Sequence, residues 1–289
     1  MNKSILYILF LSIIGLLTGC TGTSNPAPAA LSDATIANIT TYGTSKGLTF
    51  TRTPEDIFYA IIKTNPTGRK PLGNEYCKVH STTTKLDGTI TDSTALVRNI
   101  PYTFLYTTSS TLLEGYATSF MKEGESAVFV FPTTNKSTVP LAVNLTLLST
   151  RNETEQLNEY VQTNFNRIPL KTTASGLRYV LTKTSASGDT AKLGKMATVN
   201  YTGKFLYQFK SADGNGFPIY TDKFDSGIFS LVVGAGGTVA GFEESVKLMK
   251  VGDKGTFIFP SVLGYGTMGR GNIQPYTPLL FEIEITAVR

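Results

Sequence analysis

The sequence predicts an α+β protein built twice: two similar domains, each an antiparallel β-sheet wrapped around a short α-helix. Three observations predict it. Residues 48–79 align without a gap on residues 168–199 at a constant offset of 120, pairing Thr53 with Thr173, Tyr59 with Tyr179, Lys63 with Lys183, Gly68 with Gly188 and Val79 with Val199. In the second copy the element order is strands, one short helix, strands, which favours an antiparallel sheet closed on that helix. A chain of 289 residues, 41% apolar and 16% charged, has the length of two domains and the composition of globular protein.

The chain opens on Met1-Asn2-Lys3 and an apolar run from Ile5 to Leu17, closing with Leu17-Thr18-Gly19-Cys20. This looks like a bacterial lipoprotein signal, in which residues 1–19 are removed and Cys20 is acylated. A membrane-spanning helix needs roughly 18 or more apolar residues, which this run does not reach. Removing residues 1–19 takes Lys3 and no acid, so the formal charge falls from +5 to +4. The acyl chains then imply a membrane anchor and a place in the bacterial cell envelope, on the outer membrane facing the periplasm. Residues 20–31, rich in Thr, Ser, Pro and Ala, read as a tether.

The first domain is expected over 32–150. Ser32 and Asp33 cap a helix from Ala34 to Thr41, and from Leu48 the chain reads strand, glycine turn, strand. Met121-Lys122-Glu123-Gly124 then matches Met249-Lys250-Val251-Gly252, and Phe129-Val130-Phe131-Pro132 matches Phe257-Ile258-Phe259-Pro260. Residues 151–167 carry Leu157, Tyr160, Val161 and Phe165 at helical spacing, with Asn152 as cap and Glu153 and Glu155 in the first turn. They predict an amphipathic helix linking the domains and stopped by Pro169.

The second domain is expected over 168–289. Leu177 to Thr184 alternates as a half-buried strand, Ser185 to Leu193 forms a turn, and Met196 to Leu206 is a long strand. Asp213-Gly214-Asn215-Gly216 lacks the acid a calcium loop places further on, so it reads as a glycine-rich turn. Phe229 to Val233 is another strand, Ala240 to Met249 a short helix with Phe242, Val246 and Met249 on one face, and Phe281, Ile283 and Ile285 alternate with Glu282 and Glu284 in the last strand.

Composition narrows the chemistry. The positive residues are scattered, without the basic stripe that nucleic acid requires, so no nucleic-acid partner is expected. Cys20 and Cys77 differ too much in context for a disulfide framework, and Cys77 reads as a small buried hydrophobe. The single histidine, His80, has no companion for a metal site or a triad. No metal, cofactor, nucleophile-base pair or phosphate loop is expected.

Val199-Asn200-Tyr201-Thr202-Gly203, Lys223-Phe224-Asp225-Ser226, Gly241-Phe242-Glu243-Glu244, Gly264-Tyr265-Gly266 and Pro278-Leu279-Leu280-Phe281-Glu282 stand in one order. In that order they resemble the core of an FKBP-type peptidyl-prolyl isomerase. The resemblance implies a proline pocket with Tyr201, Phe224, Phe229 and Phe281 as aromatic walls and Asp225 as the carboxylate bonded within it. It gives Val239 a backbone N–H for the ligand carbonyl, and Tyr265 and Ile273 a place on a flap. Phe242 stands where the family often has tryptophan at the floor, and Leu231 where some members have another aromatic. Asp225, Tyr201, Phe224 and Tyr265 are the expected catalytic set. Phe229, Leu231, Val239, Phe242, Ile273 and Phe281 are the expected binding set. The implied partners are proline-containing polypeptide clients, with a macrolide as another occupant.

The first copy resembles the family but is degenerate. Ser81 stands for Tyr201 and Thr91 for Phe224, and the stretch Pro132 to Pro140 is ten residues shorter than Pro260 to Pro278, so Gly264-Tyr265-Gly266 has no counterpart. Asp92 persists opposite Asp225. A pocket without its walls cannot enclose proline. The expected function is an isomerase acting on exported or envelope proteins through its second domain. The alternative reading is a non-catalytic chaperone or a binding and spacing lipoprotein.

Overall fold

The computed structural model describes residues 31–94, 99–108, 112–134, 137–212 and 218–289, so the signal segment, Cys20, nearly all of the tether and the turn at 213–216 lie outside the described residues. The first copy runs α1 (Asp33–Ser45), β1 (Thr51–Arg52), β2 (Phe58–Lys63), β3 (Tyr76–Lys85), β4 (Ile90–Ser93), β5 (Tyr102–Leu105), α2 (Leu113–Thr118), β6 (Ser126–Phe131) and β7 (Leu141–Arg151). The second runs α3 (Glu153–Asn164), β8 (Lys171–Thr172), β9 (Arg178–Lys183), β10 (Met196–Ala212), β11 (Pro218–Val232), α4 (Ala240–Lys247), β12 (Lys254–Phe259) and β13 (Leu279–Val288).

The offset of 120 holds for the starts of α1 and α3, β1 and β8, β2 and β9, and β3 and β10. The linking helix therefore stands in the second copy where α1 stands in the first. Both helices begin on a polar cap: Ser32 accepts from the Thr35 amide at 3.2 Å, and Asn152 accepts from Glu155 N at 3.0 Å while Glu155 reaches back to the Asn152 amide. That reciprocal pair satisfies two amides that the helix itself leaves open. Pro169 does not stop α3. The helix ends at Asn164, where the Phe165 amide bonds Val161 O at 2.9 Å and the side chain turns into the core.

The duplication extends to irregularities in the sheet. A register shift falls between Lys78 and Val79 in β3 and between Thr198 and Val199 in β10. A second falls at Thr83/Thr84 and again at Gly203/Lys204, and a third skips Ile62 in β2 and Thr182 in β9. Each pair of bulges differs by 120 in sequence.

Among the described residues the strands form one sheet in the order β1-β2-β6-β7-β3-β5-β10-β13-β12-β9-β8, with β4 on β3 and β11 on β10. Every pairing within a copy is antiparallel, as expected. The copies are joined by a parallel contact, Tyr102 with Gln208 and Thr103 with Phe209. This is why β10 runs on past Leu206, its expected end. The successive apolar residues Phe205, Leu206 and Tyr207 break the alternation, yet each finds cover: Phe205 and Phe209 face the core, Leu206 and Tyr207 face α3. β11 likewise starts far before Phe229, because Pro218 to Thr221 pair with the extended β10.

Each half has a helix on either face. In the second, Phe242 and Val246 of α4 pack on Val199, Phe257, Phe259, Phe281 and Ile283, while Leu157 of α3 packs on Leu206, Ile258 and Leu280 behind. In the first, Ala117 of α2 packs on Val79, Phe129, Val143 and Leu145, while Ile39 and Tyr42 of α1 cover Val128, Val130 and Ala142. Each fully buried Phe or Leu contributes about 1.5–3 kcal/mol through area removed from water. Cys77 is fully buried, and burial pushes its thiol up to about 12.

Candidate functional site

A cleft of about 820 Å³ opens between β10, β11, the start of α4 and the segment after β12. Tyr201, Phe224, Asp225, Phe229, Val239, Phe242, Tyr265 and Phe281 line it. Phe281 is the hub: its ring centroid lies 5.1 Å from Phe242, 5.6 Å from Phe224 and 6.2 Å from Tyr201. Phe242 meets Tyr201 edge-on at 5.6 Å and Phe229 at 6.3 Å. Such edge-to-face contacts prefer one geometry and hold the wall stiff. Phe242 and Phe281 are almost fully buried, whereas Phe229 remains 37% exposed at the rim.

Register explains why these rings meet. Gly203 pairs with Phe281 on β13 and with Asp225 on β11. A methyl group at Gly203 would lie 2.6 Å from the Phe224 ring and 3.0 Å from the Phe281 ring, so only glycine lets both approach. Its contribution is an absence, which composition and motif reading pass over; the available signal is its place in Tyr201-Thr202-Gly203.

Asp225 is exposed on the cleft and both its oxygens are engaged. Oδ2 accepts from the Tyr201 hydroxyl at 2.7 Å, and Oδ1 accepts from the Ser226 amide at 2.9 Å. Burial and the carboxylate beside it push Tyr201 up to about 12, so its proton stays on the phenol and points at Asp225. Val239 caps α4; its carbonyl accepts from the Phe242 and Glu243 amides, and among the described residues its own N–H takes no acceptor. Tyr265 follows the turn Ser261–Leu263, and the guanidinium of Arg270 lies 5.9 Å from its ring centroid. Arg270, absent from the expected set, is a lining residue and brings a positive charge to the rim.

The two remaining expected residues lie elsewhere. Leu231 and Ile273 are buried in the hydrophobic core of the second copy and are not among the residues lining the cleft. Leu231 alternates inward on β11, and Ile273 is drawn in by its bridge to Arg270.

The corresponding place in the first copy is filled from the second. Asp92 pairs with Thr83 as Asp225 pairs with Gly203. It accepts from the Tyr220 hydroxyl at 2.8 Å and lies 2.5 Å from Lys210 Nζ. Lys210 also bonds Glu114 at 2.8 Å, and Tyr220 packs on Tyr102 at 5.4 Å. Burial alone would raise the pKa of Glu114, but the ammonium beside it carries it below the ordinary value. Ser81, which stands for Tyr201, is too short to reach Asp92, and Tyr220 supplies the phenol instead.

Comparison with known proteins gives the same direction. A family model described as FKBP-type peptidyl-prolyl cis-trans isomerase matches residues 188–286. The FKBP-type peptidyl-prolyl cis-trans isomerase FkpA of Aeromonas hydrophila is 33% identical over 45% of this chain, and the match spans only 44% of that relative's length. The FK506-binding protein 1B of Neurospora crassa is 32% identical over 38% of this chain and is matched along 96% of its own length. A crystal structure of FkpA from Escherichia coli shares 26% identity, covering 48% of this chain and 59% of that one, with a TM-score of 0.39. With a relative matched almost end to end and the family's blocks gathered around one cleft, the chain belongs to the FKBP-type peptidyl-prolyl cis-trans isomerase family.

Proposed function

We propose that this chain is a peptidyl-prolyl cis-trans isomerase working through the cleft of its second domain, residues 168–289, with residues 32–150 a non-catalytic copy. The observation that carries the reading is an aromatic wall, Phe281 with Phe242, Tyr201 and Phe224, facing a carboxylate–phenol pair and a Val239 backbone N–H that takes no acceptor among the described residues.

Rotation about an Xaa-Pro bond needs no nucleophile. Its barrier is amide resonance, roughly 18–20 kcal/mol, and uncatalysed exchange takes tens to hundreds of seconds. At the twisted transition state the amide has lost resonance and its carbonyl dipole is smaller. An apolar wall therefore binds the twisted form better than the planar one, and that difference is the catalysis. The pyrrolidine ring rests on Phe281 and Phe242. The Val239 N–H holds the carbonyl on one side of the bond, so that the other side turns. The Tyr201 proton is committed to Asp225, which leaves that pair to hold the shape of the site and to set its charge. The Tyr265 hydroxyl has no partner among the described residues and is free to donate to the substrate backbone. A macrolide is the other ligand class for this cleft, a reading supported by membership of the family.

The clients are exported or envelope proteins, and Cys20 carries the acyl anchor, a reading supported by the lipoprotein-like run Leu17-Thr18-Gly19-Cys20. Cys20→Ala should move the protein from the membrane fraction to the soluble fraction; continued co-sedimentation with membranes would reject the anchor. For the activity itself, the full chain should accelerate cis-to-trans exchange of Xaa-Phe-Pro peptides measured by NMR. Unchanged exchange across the series would leave the cleft a binding site without catalysis.

A further inference from the structure

We infer that Tyr76, on β3 of the first copy, is a positioning residue for the flap that carries Tyr265, so that the degenerate copy completes the site of the other one. The inference rests on the isomerase reading for its consequence and on geometry for its substance. Tyr76 is 2% exposed, yet it is buried within the core of the second copy rather than its own. Its hydroxyl donates to the Pro275 carbonyl at 2.7 Å and lies 2.6 Å from Thr277 Oγ1, which itself donates to the Gln274 carbonyl at 2.6 Å. Gln274 Oε1 in turn accepts from the Leu105 amide of the first copy at 3.2 Å.

Between the two residues that Tyr76 holds stands Tyr276, with φ +57. A bulky side chain in the left-handed region is costly and persists only where the surroundings dictate it. Tyr76 fixes the residue on either side. The strained backbone then passes its position along the flap: the Tyr276 amide bonds Gly266 O at 3.0 Å, the Gly269 amide bonds Tyr265 O at 3.1 Å, and Arg270 bridges Ile273. The Tyr265 ring is thus set by backbone bonds that trace back to one phenol in another domain. Phe209 meets Tyr76 edge-on at 5.8 Å and keeps the ring in place whether or not the hydroxyl is present.

The test is Tyr76→Phe in the full chain, with kcat and KM for an Xaa-Phe-Pro peptide and amide hydrogen exchange at Gly266, Gly269 and Tyr276 read together. Loss of one buried hydrogen bond should lower kcat about fivefold to tenfold with KM little changed, and should speed exchange at those amides. In a Tyr265→Phe background the further loss should vanish, because the bond acts through Tyr265. A general loosening of the fold would instead lower both backgrounds alike and would overturn the inference. Gln274→Ala removes the second tie without touching the core and should reproduce the exchange effect, which keeps the question open to test if Tyr76→Phe folds poorly. If the wild-type chain shows no isomerase activity, the functional reading fails, and flap exchange alone decides: unchanged protection in both variants rejects Tyr76 as the brace, and faster exchange supports it.

Discussion

At the scale of single residues the site separates into parts that a sequence displays and parts that it hides. Asp225 and the wall aromatics are legible because each is a large or charged group inside a recognisable block. Asp225→Ala should lower peptide turnover by about tenfold or more while leaving the thermal midpoint nearly unchanged, since an exposed carboxylate carries little stability. Circular-dichroism melting beside the NMR exchange assay checks both halves of that statement. Gly203 is hidden because its contribution is the space it leaves. Gly203→Ala should displace Phe224 and Phe281, costing about 1–3 kcal/mol as an overpacked core does, and should abolish turnover. Retained activity at unchanged stability would show that the rings can approach differently. Leu231 and Ile273 show the reverse case: family position puts Leu231 where some members have another aromatic and Ile273 on the flap, whereas strand alternation and a local bridge turn both side chains into the core.

Elements announce their beginnings better than their ends. Ser32 and Asn152 mark both helix starts, because a cap is a local bond between near neighbours. The stretch of β10 beyond Leu206 and the early start of β11 are not legible, because what sustains them is pairing with each other and with β5, far away in sequence. This extension carries Lys210 to the buried carboxylate Glu114 and the half-buried Asp92, and the consequence can be read against pH. Glu114 is depressed in the fold, so its contribution is present above the unfolded value of about 4.3 and is lost as pH falls through the folded one. Lys210 is raised despite burial, by Glu114 and Asp92, so its contribution is present below about 10.4 and fades as pH rises beyond. The wild-type thermal midpoint should therefore plateau between about pH 5 and 10. Lys210→Met leaves two carboxylates without their cation and should cost about 3 kcal/mol at neutral pH. With the ammonium gone, burial raises Glu114, so that variant should recover stability relative to wild type on acidification. A parallel acid limb in both proteins would contradict the assigned pairing. The cleft lies outside this cluster, so Lys210→Met should retain peptide turnover wherever it is folded.

For the molecule as a whole, the repeat at offset 120 makes the doubling visible in the order of residues alone, whereas the parallel contact that fuses the halves is invisible there, since two residue pairs leave no periodic trace. Fusion predicts behaviour that two tethered beads would not show. Urea unfolding followed by near-ultraviolet dichroism, and separately by fluorescence of a dye attached in the first domain, should give coincident transitions, the mark of a single cooperative unit. Separated midpoints would mean that the shared sheet and the Tyr76, Gln274 and Lys210 ties carry too little energy to couple the halves. α3 belongs to this scale as well. Its apolar face covers Leu206, Ile258 and Leu280, while Glu155 and Glu159 reach Arg69 and Lys78 of the first copy, so a helix that reads as a linker is a shared layer.

The matched bulges also fix what the two copies can exchange. An inserted residue shifts every side chain beyond it to the opposite face of a sheet, so a bulge is not easily gained or lost once a core has formed around it. Three of them coincide between copies whose pockets have little else in common, at Lys78/Val79, Thr83/Thr84 and Ile62 and their partners 120 residues on. Both copies are therefore bent at the same places, and what sets them apart is the side chains hung on that scaffold, Ser81 and Thr91 in one where the other has Tyr201 and Phe224.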